Sequence, residues 1–205
     1  EIVHYFFSTI LLGVTKTAEM YDYSVIVVQS DDDYKSEIKQ LALLLDKNVD
    51  GILLSLADNT IHFNHVKDVI NQGVPLVLYD RASKLIDCNK VVIDDVKAAQ
   101  MATQHLIDIG CKKIAIIRNQ LKSQGTIDRH KGYKKALLEN GMLYDKSLDF
   151  EGHDFSFSEG KKAGNKISKL HKDVDGIFAV TDLMATGALE ALKEHNIAVP
   201  DQVSV

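Results

Sequence analysis

At 205 residues, with 45% apolar and 26% charged positions, the chain has the composition of a soluble folded protein. At about 150 residues per domain, that length makes one large domain or two small lobes. No apolar run approaches the roughly 18 residues that a bilayer span needs, and no basic segment leads into an apolar one at the N-terminus, so a membrane protein is excluded. The net charge of −5 argues against a nucleic-acid footprint on this chain. Cys88 and Cys111 are far apart and make no CxxC, which fits a reducing, cytoplasmic compartment better than a disulfide framework.

Along the chain, short apolar runs alternate with longer amphipathic ones. Candidate strands are Val25–Gln29, Gly51–Ser55, Leu76–Tyr79, Val91–Ile93, Ile114–Arg118, Gly176–Val180 and Val203–Val205. Each is rich in Val, Ile and Leu with little alternation, the pattern of strands buried on both faces of a parallel sheet. Helical spacing links Ile38, Leu41 and Leu45, then Val96, Ala99, Ala102, Leu106 and Ile109. The same spacing joins Ala163, Ile167 and Leu170, and later Met184, Ala188 and Leu192. Gly73, Gly110 and Gly141 follow the last apolar helical positions, where a left-handed C-cap favours glycine. Asp94, Ser156 and Thr181 or Asp182 stand where N-caps belong, and Ser156 with Glu159 has capping-box spacing. Strand–helix alternation at roughly 25-residue intervals predicts an α/β fold with right-handed crossovers.

In open parallel sheets ligands bind beyond the carboxyl ends of the strands. The residues there are Ser30-Asp31, Ser55, Asp80-Arg81, Asp94-Asp95, Arg118-Asn119 and Thr181-Asp182. Aromatic faces come from Tyr5-Phe6-Phe7 and from Phe155 and Phe157. Polar groups beside aromatic plates suit a small polyhydroxylated ligand, although single members of this set also serve as turns and caps. Other chemistry fails. There is no phosphate-binding glycine loop and no nucleophile elbow. His62 and His65 have helical spacing but no third ligand nearby, so a solvated helix face outweighs a zinc site. Asp31-Asp32-Asp33 lacks the glycine and the closing glutamate of a calcium loop and reads as a loop leading into a helix N-terminus. Cys88 reads as an incidental free thiol. No acid, base and nucleophile assemble, so no enzyme, metal or cofactor is expected.

Several segments together resemble the effector-binding region of the LacI/GalR family of bacterial transcription regulators. Val49–Leu54 resembles its "VDGIIL", Gly73–Arg81 its "GIPVVLIDR", and His105–Ala115 its "HLIELGHRRIA". Arg129–Tyr133 resembles "RxxGY", Phe178–Leu189 "FAANDLMALGAL", and Val199–Val205 "VPEDVSV". The order and spacing carry the likeness through the whole chain. It implies a two-lobed periplasmic-binding-protein-like type I fold: parallel sheets flanked by helices, with a ligand cleft between the lobes. The expected lobes are residues 1–94 and 95–205, with the hinge at Asp94-Asp95.

The resemblance also implies roles. Phe6 and Phe7 match the end of the family's Asn-Pro-Phe-Phe, with Tyr5 in place of Pro. Asp80 matches a pocket aspartate, Arg129 the arginine that holds the effector from the second lobe, and Phe155 a stacking aromatic. Thr181 replaces a ligand-contacting asparagine. Arg118-Asn119 stands where the family often has Gly-Gly. An Arg118 at the pocket mouth could favour a phosphorylated or acidic sugar, or could point to solvent. The implied function is sensing of a sugar-like effector that controls operator binding by a helix-turn-helix headpiece, in a homodimer. Headpiece, first strand and C-terminal tail are expected outside this chain, leaving an exposed sheet gap or edge inclined to pair with another chain. The alternative is a periplasmic sugar-binding protein of a transporter, which shares the fold; an enzyme on a flavodoxin-like fold is a weaker one.

Overall fold

The computed structural model describes residues 5–120 and 123–205. The chain divides into two compact units, residues 1–92 and 93–205. The expected boundary was two residues further on.

In the first unit, helices α1 (Tyr5–Met20), α2 (Tyr34–Asp46) and α3 (Asn64–Asn71) accompany a parallel sheet of β1 (Ile52–Leu54), β2 (Leu76–Tyr79) and β3 (Asn89–Val91), in the order β1-β2-β3. Leu76 and Leu78 of β2 and Ile52 of β1 turn inward onto Leu41 and Leu44 of α2 and Val66 and Val69 of α3. The register Ile52↔Leu76 and Leu54↔Leu78 puts these side chains on one face, as a two-residue period requires. The buried stripe of α2 is Glu37, Leu41 and Leu44: Leu41 is as expected, and Glu37 and Leu44 stand one position before the expected Ile38 and Leu45. Ile38 is exposed, because a carboxylate takes the core-facing position. On α1, Thr9, Ile10, Gly13, Val14, Thr17 and Ala18 face Leu53 across an apolar hollow of about 440 Å3.

Two expected strands of this unit change. Val25–Gln29 forms no strand: a strand exists only through its ladder, and among the described residues Val25–Val28 have no ladder partner. Ile26 and Val27 are left exposed. The third strand lies two residues earlier than Val91–Ile93, paired Val77↔Asn89 and Tyr79↔Val91.

The second unit holds α4 (Asp95–Asp108), β4 (Ile114–Arg118), α5 (Gln124–Glu139), a 3-10 turn at Lys146–Leu148, β5 (Asp149–Glu151), α6 (Phe157–Leu170), β6 (Gly176–Ala179) and α7 (Asp182–Glu194). The sheet order is β5-β4-β6, all parallel. From β4 the chain crosses by α5 to one side, then returns over β4 by α6. Right-handed crossovers in opposite directions put α5 and α6 on opposite faces, and every residue of β4 is buried. The expected final strand is reduced to one bridge, Gly176↔Ser204.

The two helix pairs pack so closely that glycine is a steric requirement. A Cβ on Gly132 of α5 would stand 2.2 Å from the Val96 carbonyl oxygen of α4, and one on Gly160 of α6 would stand 2.1 Å from that of Met184 in α7. The cap expectations hold for Gly73, Gly110 and Gly141, which take φ of +80°, +105° and +69°. Asp94 and Ser156 cap α4 and α6 by accepting from the Lys97 and Glu159 amides. The capping box is half formed, since the Glu159 carboxylate accepts from the His153 amide instead.

Candidate functional site

In the second unit the strands end together at one sheet edge. Register places Arg118 beside Glu151, and the Val180 amide donates to the Ile117 carbonyl at 2.9 Å. Arg129, on α5, reaches this edge. Its Nε donates to Asp95 Oδ1 at 2.7 Å and one Nη donates to the Val180 carbonyl at 2.8 Å. Next in the chain is Thr181, the N-cap of α7. Its side chain caps nothing, and its buried Oγ1 has no hydrogen-bond partner among the described residues. A buried hydroxyl left unpaired costs about 1–3 kcal/mol, which makes it a group waiting for an acceptor or donor. Phe155 follows β5, half-buried against the core of this unit.

Arg118 does not point to solvent. Its side chain is 8% exposed and lies between two carboxylates: Nε is 2.7 Å from Asp149 Oδ1, at an angle too poor for a hydrogen bond, and an Nη is 2.7 Å from Glu151 Oε2. The same group donates to its neighbour's Asn119 carbonyl at 2.9 Å. Asp149 also accepts from the Tyr144 hydroxyl at 2.7 Å and has His130 Nε2 at 3.0 Å. Burial by itself would raise the Asp149 carboxyl, but His130, Tyr144 and Arg118 outweigh it and hold it well below the usual carboxylate range. Burial, then the bond to Asp149, pushes the Tyr144 phenol up to about 12. Asn119 is buried and accepts from Thr126 Oγ1 at 2.6 Å, which tethers the turn after β4 to the start of α5.

In the first unit, Phe7 packs edge-on against Tyr79 with ring centroids 6.5 Å apart, and Phe6 edge-on against Phe7 at 5.1 Å. Both phenylalanines belong to the first turn of α1, not to a loop, and Phe6 is 53% exposed. Asp80 follows β2 in the left-handed region at φ +56°, its amide donating to the Val91 carbonyl at 3.1 Å. Arg81 pairs with Asp32. Burial opposes its charge, yet Asp32, Asp58 and Asp80 together hold its pKa above the ordinary value.

Thus Arg129 and Thr181 come together in one unit, and Phe6, Phe7 and Tyr79 cluster in the other. Of the matched Tyr5-Phe6-Phe7 segment, the preceding His4 lies outside the described residues. Sequence reasoning missed the carboxylate partners of all three arginines, which stand 31 to 49 positions away. It also missed a buried group in the first unit. Glu37 is 1% exposed and accepts from the Ala57 amide at 2.6 Å, the Thr60 hydroxyl at 2.9 Å and His65 Nε2 at 2.7 Å. His65 therefore faces a carboxylate rather than solvent. The signal was available: Glu37 precedes Leu41 and Leu44 at helical spacing. Among the described residues, no three His, Cys, Asp or Glu gather as a metal needs, and no helix is long and apolar enough to cross a membrane.

Two α/β units, each a parallel sheet with flanking helices, define an architecture of the periplasmic-binding-protein type. Residues 3–205 match the family described as periplasmic binding proteins and sugar binding domain of LacI family, and the chain belongs to that family. It is 31% identical over 206 residues to catabolite control protein A of Priestia megaterium, covering all of this chain and 61% of that one. The chain therefore spans about three-fifths of the length of such relatives. Among solved structures, the transcription regulator CcpA of Lactococcus lactis superposes with a TM-score of 0.87 at 32% identity, covering 100% of this chain and 73% of that one. A structure described as a transcriptional regulator CelR–cellobiose complex gives 0.84 at 29% identity, covering 98% and 61%.

Proposed function

We propose that this chain is the effector-sensing part of a cytoplasmic bacterial transcription regulator of the LacI family, and that it is not an enzyme. A small sugar-like molecule binds at the carboxyl ends of the strands. Arg129, Thr181 and Phe155 contact it from the second unit, and Asp80, Phe6 and Phe7 from the first. Differential affinity for two conformations then shifts a homodimer between states that differ in operator binding through a helix-turn-helix headpiece. A coupling of roughly 1–3 kcal/mol is sufficient for such a switch.

The observation that carries this reading is the Arg129–Thr181 pair. The guanidinium is held by Asp95 and the Val180 carbonyl, next to a buried hydroxyl with no partner among the described residues. Fixed donors beside an unsatisfied group are a preorganised polar site, and preorganisation is where small-ligand affinity comes from. The CelR relative's complex with cellobiose supports a saccharide as the ligand class.

The test is a thermal-shift panel of mono- and disaccharides on the purified protein. A true effector at about 100 times its Kd adds roughly 2.7 kcal/mol of stability. Thr181→Val keeps the shape, removes the unpaired hydroxyl and leaves unliganded stability equal or slightly higher; it should weaken the hit about tenfold or more, the scale of one lost polar contact. Arg129→Lys should weaken it as well, since an ammonium lacks the fork. A saccharide bound equally by the wild type and both variants removes these residues from the site.

A further inference from the structure

We propose that the effector site selects an uncharged saccharide and rejects its phosphate ester, because every arginine at the strand ends is already committed to carboxylates of this chain. The inference rests on the sugar-sensing reading above and specifies its ligand class.

The chain has only three arginines, Arg81, Arg118 and Arg129, and all three stand at strand ends or reach them. Arg81 pairs with Asp32, Arg118 with both Asp149 and Glu151, and Arg129 with Asp95. A phosphate is best held by a guanidinium whose fork is free to give two parallel bonds. None of these forks is free in that sense. Arg129 spends Nε on Asp95 and an Nη on Val180, leaving donor capacity suited to a neutral hydroxyl. Arg118 is the group whose position invites a phosphate, yet it faces two carboxylates for its one charge. Asp149, 4% exposed, accepts from the Tyr144 hydroxyl with His130 Nε2 3.0 Å away, so swinging aside would break that bond. Glu151 is half-exposed, so an arriving phosphate dianion meets a carboxylate before the guanidinium. Asp58 and Asp80 likewise add negative potential around Arg81. Like charges brought together at a recognition surface are how a site excludes a close analogue. A neutral hydroxyl takes a hydrogen bond from a paired arginine without displacing its partner; a phosphate must break the pair. Lys122, four residues after β4 in sequence, lies outside the described residues.

Matched pairs test this: D-glucose with glucose 6-phosphate, D-ribose with ribose 5-phosphate, and D-fructose with fructose 6-phosphate, titrated calorimetrically at low ionic strength. In the pair that binds, the free sugar should bind about tenfold or more tighter than its ester. Glu151→Gln removes the exposed carboxylate and leaves Arg118 with Asp149 alone. It should raise ester affinity several-fold and leave free-sugar affinity unchanged, with circular dichroism checking the fold. An ester that binds wild-type protein as tightly as its free sugar overturns this inference and leaves sugar sensing intact. An ester affinity unmoved in folded Glu151→Gln removes Glu151 as the cause and overturns the mechanism. Silence from every pair and from the mono- and disaccharide panel above overturns the sugar-sensing reading itself, and this inference with it.

Discussion

One carboxylate, Asp149, is shared by Arg118, Tyr144 and His130 in the interior of the second unit. Removing one member of a buried charged group costs more than the group contributes when intact, because the survivors stay buried without compensation. Asp149→Asn is therefore expected to lower stability by about 3–5 kcal/mol. The acid response has a definite sign. The folded-state pKa of Asp149 is depressed, so its contribution is complete above the unfolded value of about 3.9 and is lost as pH falls below it toward the folded value. The Tyr144 phenol, raised to about 12, keeps its proton for this bond through the neutral range and well above it. Urea midpoints at pH 7 and pH 3 check both points: the gap between wild type and Asp149→Asn should be large at neutral pH and narrow in acid. A gap that is constant with pH would mean that the variant acts through packing, not charge.

At the scale of elements, the glycines of the helix pairs separate close approach from backbone flexibility. Gly160→Ala puts a methyl 2.1 Å from the Met184 carbonyl oxygen, so α6 and α7 must part. Overpacking of this kind costs about 1–3 kcal/mol or more. Gly13→Ala, in helical α1 with nothing within 4 Å of the new methyl, should instead stabilise by about 0.5–1 kcal/mol. Denaturant midpoints of the two variants should move in opposite directions, and a shared sign would refute the steric argument. The same elements show what can be read from a sequence. β2 and β4 were legible to the residue because an apolar run set between a proline or lysine and a polar residue has one reading. β5 was not, because Asp-Phe-Glu has no apolar run and is a strand only through its register with Ile116–Arg118. α5 was marked only at its C-terminal end, by Gly141, since its buried face includes Thr126, His130 and Gly132, residues that carry no hydrophobic period. At the site, Thr181 was legible as a strand-end group from the order of elements, whereas Arg129, inside α5, was singled out only by the resemblance. The arginines' partners were not legible, because the Asp95–Arg129 and Asp149–Arg118 pairs form only when distant elements pack.

For the molecule as a whole, the contrast between the two units sets where it opens first. In the second unit β4 is buried along its whole length between helix pairs on both faces. The first unit has three short strands, with β3 exposed throughout and Leu53, Val91 and Val92 open to solvent. Val25–Val28 lies there without a described ladder partner. Local stability follows buried apolar contact and protected backbone bonds. Native-state hydrogen exchange should therefore show Ile114–Arg118 amides protected to the level of global unfolding, and Ile52–Leu54 and Leu76–Tyr79 amides exchanging through a lower-energy opening. A ligand that draws on both units should raise protection in the first unit more than in the second, because only the first has headroom below the global limit. Equal protection in both units of the unliganded protein would show that they unfold as one cooperative block. In that case an effector would have no low-energy opening in the first unit to suppress, and a switch built on that unit's loosening would be ruled out.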